Sequence, residues 1–275
     1  MSGPIVQGLW IGSRLSVMER LSICSYLEHG HPFHLYTYED VQNIPAGAVV
    51  RDGREILPAD GIFCYQRGFG KGSVSAFSNC FRYKLLLERG GWWSDLDSVC
   101  LRPLDFDGQH VVGYERHPDG ELRVASGLMK APADSPLMEF CWNTSWQVDR
   151  STVRWGQIGP ALLNQALRES KVSVQTVEPT VFYPIHYWQV WELVTPGEIP
   201  AGSSAIHLWN SQWRSNGLNP DAVFRPDCVY EQLKQRFKVR SPHNARVGPG
   251  LLTVGKHQLK RLKARLRAKR VLRAA

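Results

Sequence analysis

Asp95-Leu96-Asp97 is the triplet whose residue types and spacing invite chemistry first. In an extended segment, residues i and i+2 point the same way, so both carboxylates would face one ion. Two carboxylates together with diphosphate oxygens make an oxygen site suited to Mg2+ or Mn2+. Such an ion would neutralise the charge that builds on a diphosphate leaving group. Alone the triplet is a weak signal, because a chain of this length holds about one D-x-D by chance. A second copy, Asp105-Phe106-Asp107, follows Pro103 and reads as a surface turn with no ligand role.

The elements around the first copy give it a setting. Ser75 or Ala76 through Arg89 has helical spacing, with Phe77, Phe81 and Leu85 on successive turns and Gly90-Gly91 as the stop. Trp92-Trp93 then opens a strand expected to run into Asp95-Leu96-Asp97. Upstream, Ile5 to Ile11 reads as a buried strand, Ser16 to Glu28 as a helix and Phe33 to Tyr38 as a second strand. A β–α–β unit in about 35 residues is the usual opening of a parallel α/β sheet. Asp40 to Gly72 reads as loops with short strands. Val111 to Tyr114, Val124 to Met129 and Ser204 to Trp209 are further strands; Ser135 to Asn143 and Pro160 to Glu169 are further helices. The fold class expected is α/β, with a mostly parallel central sheet flanked by helices.

The stretch Phe77-Ser78-Asn79-Cys80-Phe81-Arg82-Tyr83, an apolar helix, Gly90-Gly91, Trp92-Trp93 and Asp95-Leu96-Asp97 resembles the signature of the D-x-D sugar-transferase family. That family includes α-galactosyltransferases, α-mannosyltransferases, bacterial capsular and lipopolysaccharide glycosyltransferases and the glucosylating domains of large toxins. Leu9-Trp10-Ile11-Gly12 and His207-Leu208-Trp209-Asn210-Ser211-Gln212-Trp213 agree with it in family order. The resemblance implies a GT-A (Rossmann-like) nucleotide-sugar-binding fold over residues 1–247. It also implies a metal-dependent, retaining transfer from a nucleotide-diphosphate sugar, with a UDP-sugar favoured, to a saccharide acceptor.

Carried over residue by residue, the resemblance implies that Trp10 stacks on the base and that Arg82 reaches the donor sugar or diphosphate. Asp95 contacts ribose and metal, Asp97 ligates the metal, and His207, Asn210 or Ser211 supplies further contacts. Trp213 donates its indole N–H to a phosphate oxygen. Ser78, Trp93 and Ser126 complete the donor-binding set, and Asn79 joins Asp95 and Asp97 as the catalytic set. Two positions depart from the family pattern: Asn79 stands where many members have Asp, and Ser126 where relatives often carry Asn. Asn can donate and accept but cannot act as a carboxylate, so the sugar's identity is what these changes leave open. Trp10 in an apolar strand also fits a core position, as a lone His207 on a strand also fits a structural one. Of Trp92 and Trp93, which alternate faces, at least one is expected in the core. Trp188 and Trp191 fit either an acceptor groove or loop packing. No residue stands out as a covalent nucleophile, which suits front-face attack aided by the leaving diphosphate.

Charge divides the chain. Residues 232–275 hold 14 Lys or Arg and no acid, leaving 19 bases against 25 acids, or −6, for residues 1–231. Leu251, Leu252, Leu259, Leu262 and Leu266 fall on one helical face, so residues 248–275 read as a basic amphipathic helix. That pattern suits an anionic membrane surface, here the inner leaflet met from the cytoplasm, with a lipid-linked saccharide as acceptor. The leucine stripe favours lipid over nucleic acid. Six cysteines without a C-x-x-C pair argue against a zinc site or a disulfide scaffold and suit a reducing compartment. Neither a signal-peptide pattern nor an apolar run of transmembrane length is expected. The competing reading is a non-catalytic membrane- or nucleic-acid-binding protein with an incidental D-x-D; it explains the tail but not the ordered motif set.

Overall fold

The computed structural model describes residues 3–249. The basic segment 250–275, with its expected helix, lies outside them.

The chain opens with β1 (Val6–Trp10), α1 (Val17–Glu28), β2 (Phe33–Thr37) and β3 (Val49–Asp52), then α2 (Ser75–Arg89), β4 (Gly91–Ser94) and β5 (Ser98–Cys100). A hairpin of β6 (Val111–Arg116) and β7 (Leu122–Ala131) follows, then α3 (Pro136–Trp146), α4 (Leu162–Glu169) and β8 (Gln175–Val177). The last elements are α5 (Pro179–Phe182), β9 (Ala205–His207), α6 (Asn210–Ser215) and α7 (Val229–Arg236). Seven strands form one sheet in the order β3-β2-β1-β4-β7-β6-β8. The pairs β1–β2, β2–β3, β1–β4 and β6–β8 are parallel, and only the two pairs involving β7 are antiparallel. The fold is thus α/β with a mostly parallel sheet, as expected from the sequence.

Local chemistry explains the elements nearest the site. Ser16 caps α1 through a capping box, its hydroxyl accepting from Met18 N–H while Glu19 reaches back to Ser16 N–H. Helix α2 buries Phe77, Cys80, Phe81, Leu85 and Leu86 and stops at Gly90, which has φ +62°. A side chain at Gly90 would put its Cβ 2.5 Å from Ala133 N, so the turn into β4 requires glycine there. Trp92 and Trp93 both lie in the core, one on each face of the sheet, since successive strand residues alternate sides. One core joins the sheet to α1 and α7; the other joins it to α2, α3 and α4.

Three expectations change. Strand β4 ends at Ser94, and Asp95-Leu96-Asp97 is a turn closed by Ser98 N–H on Asp95 C=O (3.0 Å), not an extended run. The late strand is shorter than Ser204 to Trp209 and leaves the central sheet: β9 pairs antiparallel with β5, Ser98 opposite His207. Trp209 sits at φ 61°, a left-handed turn that ends β9 and starts α6. The helix expected from Pro160 starts later, at Leu162, after a wider turn over Gln157–Ala161 that contains Pro160.

Candidate active site

Strand order reverses at β1: α1 carries the chain to β2 on one side, and α2 returns it to β4 on the other. In open α/β sheets, ligands settle in the crevice beyond the carboxyl ends of the strands at such a point. Trp10 at the end of β1 and Asp95 just past β4 occupy that position and line a cleft of about 1230 Å3. The volume exceeds that of a pocket for one drug-sized ligand and leaves room for two substrates.

A local irregularity brings a third strand to the same point. Val112 pairs with Met129 and Tyr114 with Val124, so β7 crowds four residues, 125–128, opposite one on β6. The bulge turns Ser126 and Gly127 toward the D-x-D turn, where Asp95 N–H donates to Gly127 C=O at 2.6 Å. From the other side the β5–β9 ladder delivers His207, and Leu208 N–H donates to Asp97 C=O (2.7 Å). Asn210 N–H, at the start of α6, donates to Asp97 Oδ2 (2.8 Å).

Asp95, Asp97 and His207 therefore converge, each offering a ligand atom within 4.8 Å of the others. His207 Nε2 pairs with Asp97 Oδ1 at 3.0 Å, and its Nδ1 is buried with no hydrogen-bond partner. Two carboxylates and an imidazole crowded together in a buried turn leave more negative charge than one imidazole balances, which favours a further cation there. Gly127 leaves the space: a Cβ on it would stand 3.2 Å from His207 Nε2 and 3.3 Å from Asp95 Oδ2. Two carboxylates and one imidazole suit a divalent ion such as Mn2+ or Mg2+, so the residues present fit the metal that the sequence implied.

The electrostatics follow from burial and pairing. Burial pushes the Asp95 carboxyl up; the Arg82 guanidinium opposes this and Asp97 adds to it. Asp97 lies below the usual carboxylate range, because His207 and the Asn210 N–H outweigh the upward push of burial. His207 is raised, burial being overcome by the charge and contact of Asp97. Glu19, buried at the start of α1, is raised by desolvation, and Asn210 Nδ2 lies 3.5 Å from its Oε1.

The structure distributes the sequence-derived residues unevenly. Trp10, Ser78, Asn79, Arg82, Asp95, Asp97, Ser126, His207, Asn210 and Ser211 line the cleft. Arg82, only 3% exposed, is engaged: Nη2 donates to Asp95 Oδ1 (2.7 Å), Nη1 donates to Ser126 C=O, and the guanidinium lies over the Trp93 ring. It orients Asp95 and also lines the cleft. Trp93 stands behind the wall and donates its indole N–H to the same Asp95 oxygen (2.9 Å). Trp213 is fully buried against Phe224 and Tyr230 and does not itself line the cleft, and its indole N–H is left without a hydrogen-bond partner. Trp191 packs in the core, and Trp188 stacks beside His186; neither lines the cleft. Sequence reasoning missed Glu19, Glu115, His117, Tyr183 and Tyr187, all on the wall. The strand read from the sequence stopped at Tyr114, so no local signal pointed to Glu115 or His117.

No protein-family model matches the sequence, and a search of curated proteins finds no match. Among solved structures, the PaToxG glycosyltransferase is similar, with a TM-score of 0.45 and 14% identity over 90% of each chain. A likeness of that depth says nothing about the chemistry of this cleft.

Proposed function

We propose that the chain is a metal-dependent GT-A glycosyltransferase that moves a sugar, with retention, from a nucleotide-diphosphate donor to a saccharide acceptor. One observation carries the reading: Asp95, Asp97 and a buried His207 meet at the carboxyl ends of the strands where the sheet order reverses. A divalent ion held there, Mn2+ or Mg2+, would stabilise negative charge on a departing diphosphate. The chain's own residues prepare the place. Arg82 and Trp93 fix the Asp95 carboxylate by two donors on one oxygen, leaving Oδ2 toward Gly127 and His207. The Asn210 N–H and the β5–β9 ladder hold Asp97 and His207 in register.

Trp10, Ser78, Asn79 and Ser126 line the cleft; on this reading Trp10 would stack on a base, for which we favour uracil, and the other three would contact the donor sugar. Ser211, the second residue of α6, faces the cleft as a candidate phosphate contact. We further propose residues 1–247 as the transferase domain and 248–275 as a basic segment that meets an anionic membrane surface, where a lipid-linked acceptor would be found. No helix among the described residues is long and apolar enough to cross a membrane.

Thermal unfolding with and without Mn2+ and UDP tests the central reading, because a ligand that binds only the native state raises its Tm. Stabilisation by UDP that needs Mn2+ and vanishes in Asp97→Asn supports it. Equal Tm values in all conditions would remove it.

A further inference from the structure

The cleft wall holds five arginines, Arg82, Arg123, Arg154, Arg168 and Arg214, and no lysine. Arg82 is taken by Asp95 and Arg123 by Asp119, while Arg214 stands one turn from Asn210 on α6, at the metal end. Arg154 and Arg168 have no such engagement: among the described residues neither guanidinium has an ion pair, a hydrogen bond or a ring contact. Their stretch, residues 150–168, contains three arginines and no acid, although residues 1–231 together carry −6. It is seated firmly. Tyr83 Oη donates to Gly159 C=O (3.1 Å), and a Cβ on Gly159 would stand 2.9 Å from Asn79 Nδ2, so the turn before α4 lies directly against α2. Asn164 holds α4 to β7, donating to Val124 C=O (2.8 Å) and accepting from Val124 N–H (3.0 Å). Ala161, Asn164 and Arg168 all line the cleft, and their spacing puts them on one helical face, with Arg168 about 10 Å along the axis from Ala161. Trp155, next to Arg154, is 40% exposed on the same wall, yet its ring is wedged: Phe69 meets it edge-on at 4.9 Å, Tyr65 at 5.2 Å, and a Cβ on Gly70 would collide with it.

We propose that this wall is the acceptor subsite and that the acceptor it takes is an acidic saccharide, one that carries carboxylate or phosphate groups. Trp155 offers a fixed, flat platform for the apolar face of a sugar ring. Arg154 and Arg168 read the anionic groups, because a planar guanidinium matches carboxylate and phosphate with two parallel donors where a lysine offers a point charge. The diphosphate of a donor does not call for these two arginines, since on the transferase reading its charge is met by the metal at Asp95, Asp97 and His207. Both arginines are exposed, so their pull on an anion is screened by salt. The inference rests on the transferase reading for the word acceptor; the preference for an anionic sugar stands on Arg154, Trp155 and Arg168.

Calorimetric titration of the full chain at low salt, saturated with Mn2+ and UDP, gives the test, with methyl glucuronide, glucose 6-phosphate and neutral methyl glucoside as probes. Wild type should bind the glucuronide or the phosphate at least about tenfold more tightly than methyl glucoside, and the tighter of the two names the anionic group. About 0.5 M NaCl should remove most of that preference. Arg154→Gln and Arg168→Gln should each weaken the anionic probe at least about threefold, and the double variant at least about tenfold, with methyl glucoside unchanged. Trp155→Ala should weaken charged and neutral probes alike. Arg89→Gln, which removes an exposed arginine outside the cleft, should bind like wild type. No binding of any probe, equal binding of charged and neutral probes by wild type, or an unaltered preference in the double variant overturns the proposal. Loss of phosphatidylglycerol-vesicle binding in the double variant, without any probe preference in wild type, also overturns it and assigns the two arginines to a lipid surface. Failure of the transferase reading shows separately, as absent Mn2+-dependent UDP binding in wild type, and the probe preference is then read without UDP.

Discussion

Replacing Arg82 by Met tests how the cleft holds its first carboxylate. Arg82 is almost wholly buried and gives three hydrogen bonds, to Asp95 Oδ1, to Ser126 C=O and to Ser78 C=O (3.4 Å), besides its contact with the Trp93 ring. Breaking a buried ion pair from one side costs about 3–5 kcal/mol, mostly because the remaining charge is stranded. Two features reduce that figure here. The Asp95 side chain is 28% exposed, so water relieves part of the charge, and Trp93 Nε1 still donates to the same oxygen. Met also fills much of the Arg stem's volume. We therefore expect a loss of about 2–3 kcal/mol at pH 7.5 without metal, measured by urea unfolding. The Asp95 carboxyl, already raised by burial, should move further up once Arg82 no longer opposes that push. Adding Asp95→Asn removes the stranded charge, so the double variant should recover at least about 1 kcal/mol over Arg82→Met. A single-variant loss below about 0.5 kcal/mol, or no recovery in the double variant, would refute the orienting role of Arg82.

Asp97→Asn should lower metal-dependent donor hydrolysis by about 10²–10³-fold while the far-UV spectrum is unchanged; near-normal turnover at saturating Mn2+ would show that Asp97 is no ligand. Gly127→Ala places a methyl among His207 Nε2 and Asp95 Oδ2 at 3.2 and 3.3 Å, so Mn2+ affinity should fall at least about tenfold, read by calorimetry. Because the folded state raises His207 above its ordinary value of 6.5, metal-free stability from this group is full at pH values below 6.5 and is lost as pH rises through the folded value. Metal affinity should run the opposite way, rising with pH as the imidazole loses its proton, and His207→Asn should flatten both slopes. Burial holds Cys80 up at about 11 and Cys100 and Cys141 at about 12, so native alkylation at pH 8 should mark only the half-buried Cys24 and Cys64, with all six marked in denaturant by mass spectrometry.

What the sequence revealed tracks how local each determinant is. Helix α2 was readable from end to end because apolar spacing and the Gly90-Gly91 stop are near-neighbour signals. The opening β1–α1–β2 unit was readable for the same reason, as was the convergence of Asp95, Asp97 and His207 through the ordered motifs. The turn at Asp95–Asp97 was not, because it depends on Asp95 N–H pairing with Gly127 C=O, a contact 32 residues away along the chain. Strand β9 was read as part of the late strand but not its partner, since strand pairing over about a hundred residues leaves no periodic trace. That Trp213 turns inward was not readable either, because a family motif gives order along the chain but not which face of α6 packs; Phe224 and Tyr230 decide that. Glu115 and His117 were overlooked because the strand read from the sequence ended at Tyr114, and the contacts that hold them run across the hairpin to Arg123.

The measurement that bears most directly on the central claim is a calorimetric titration of Mn2+ into the full chain, with and without UDP. Convergence of Asp95, Asp97 and His207 predicts one Mn2+ per chain, bound more tightly when UDP is present and lost in both Asp97→Asn and His207→Asn. Mn2+ binding that survives both substitutions, or UDP binding indifferent to Mn2+, would contradict a metal-dependent diphosphate site at this cleft.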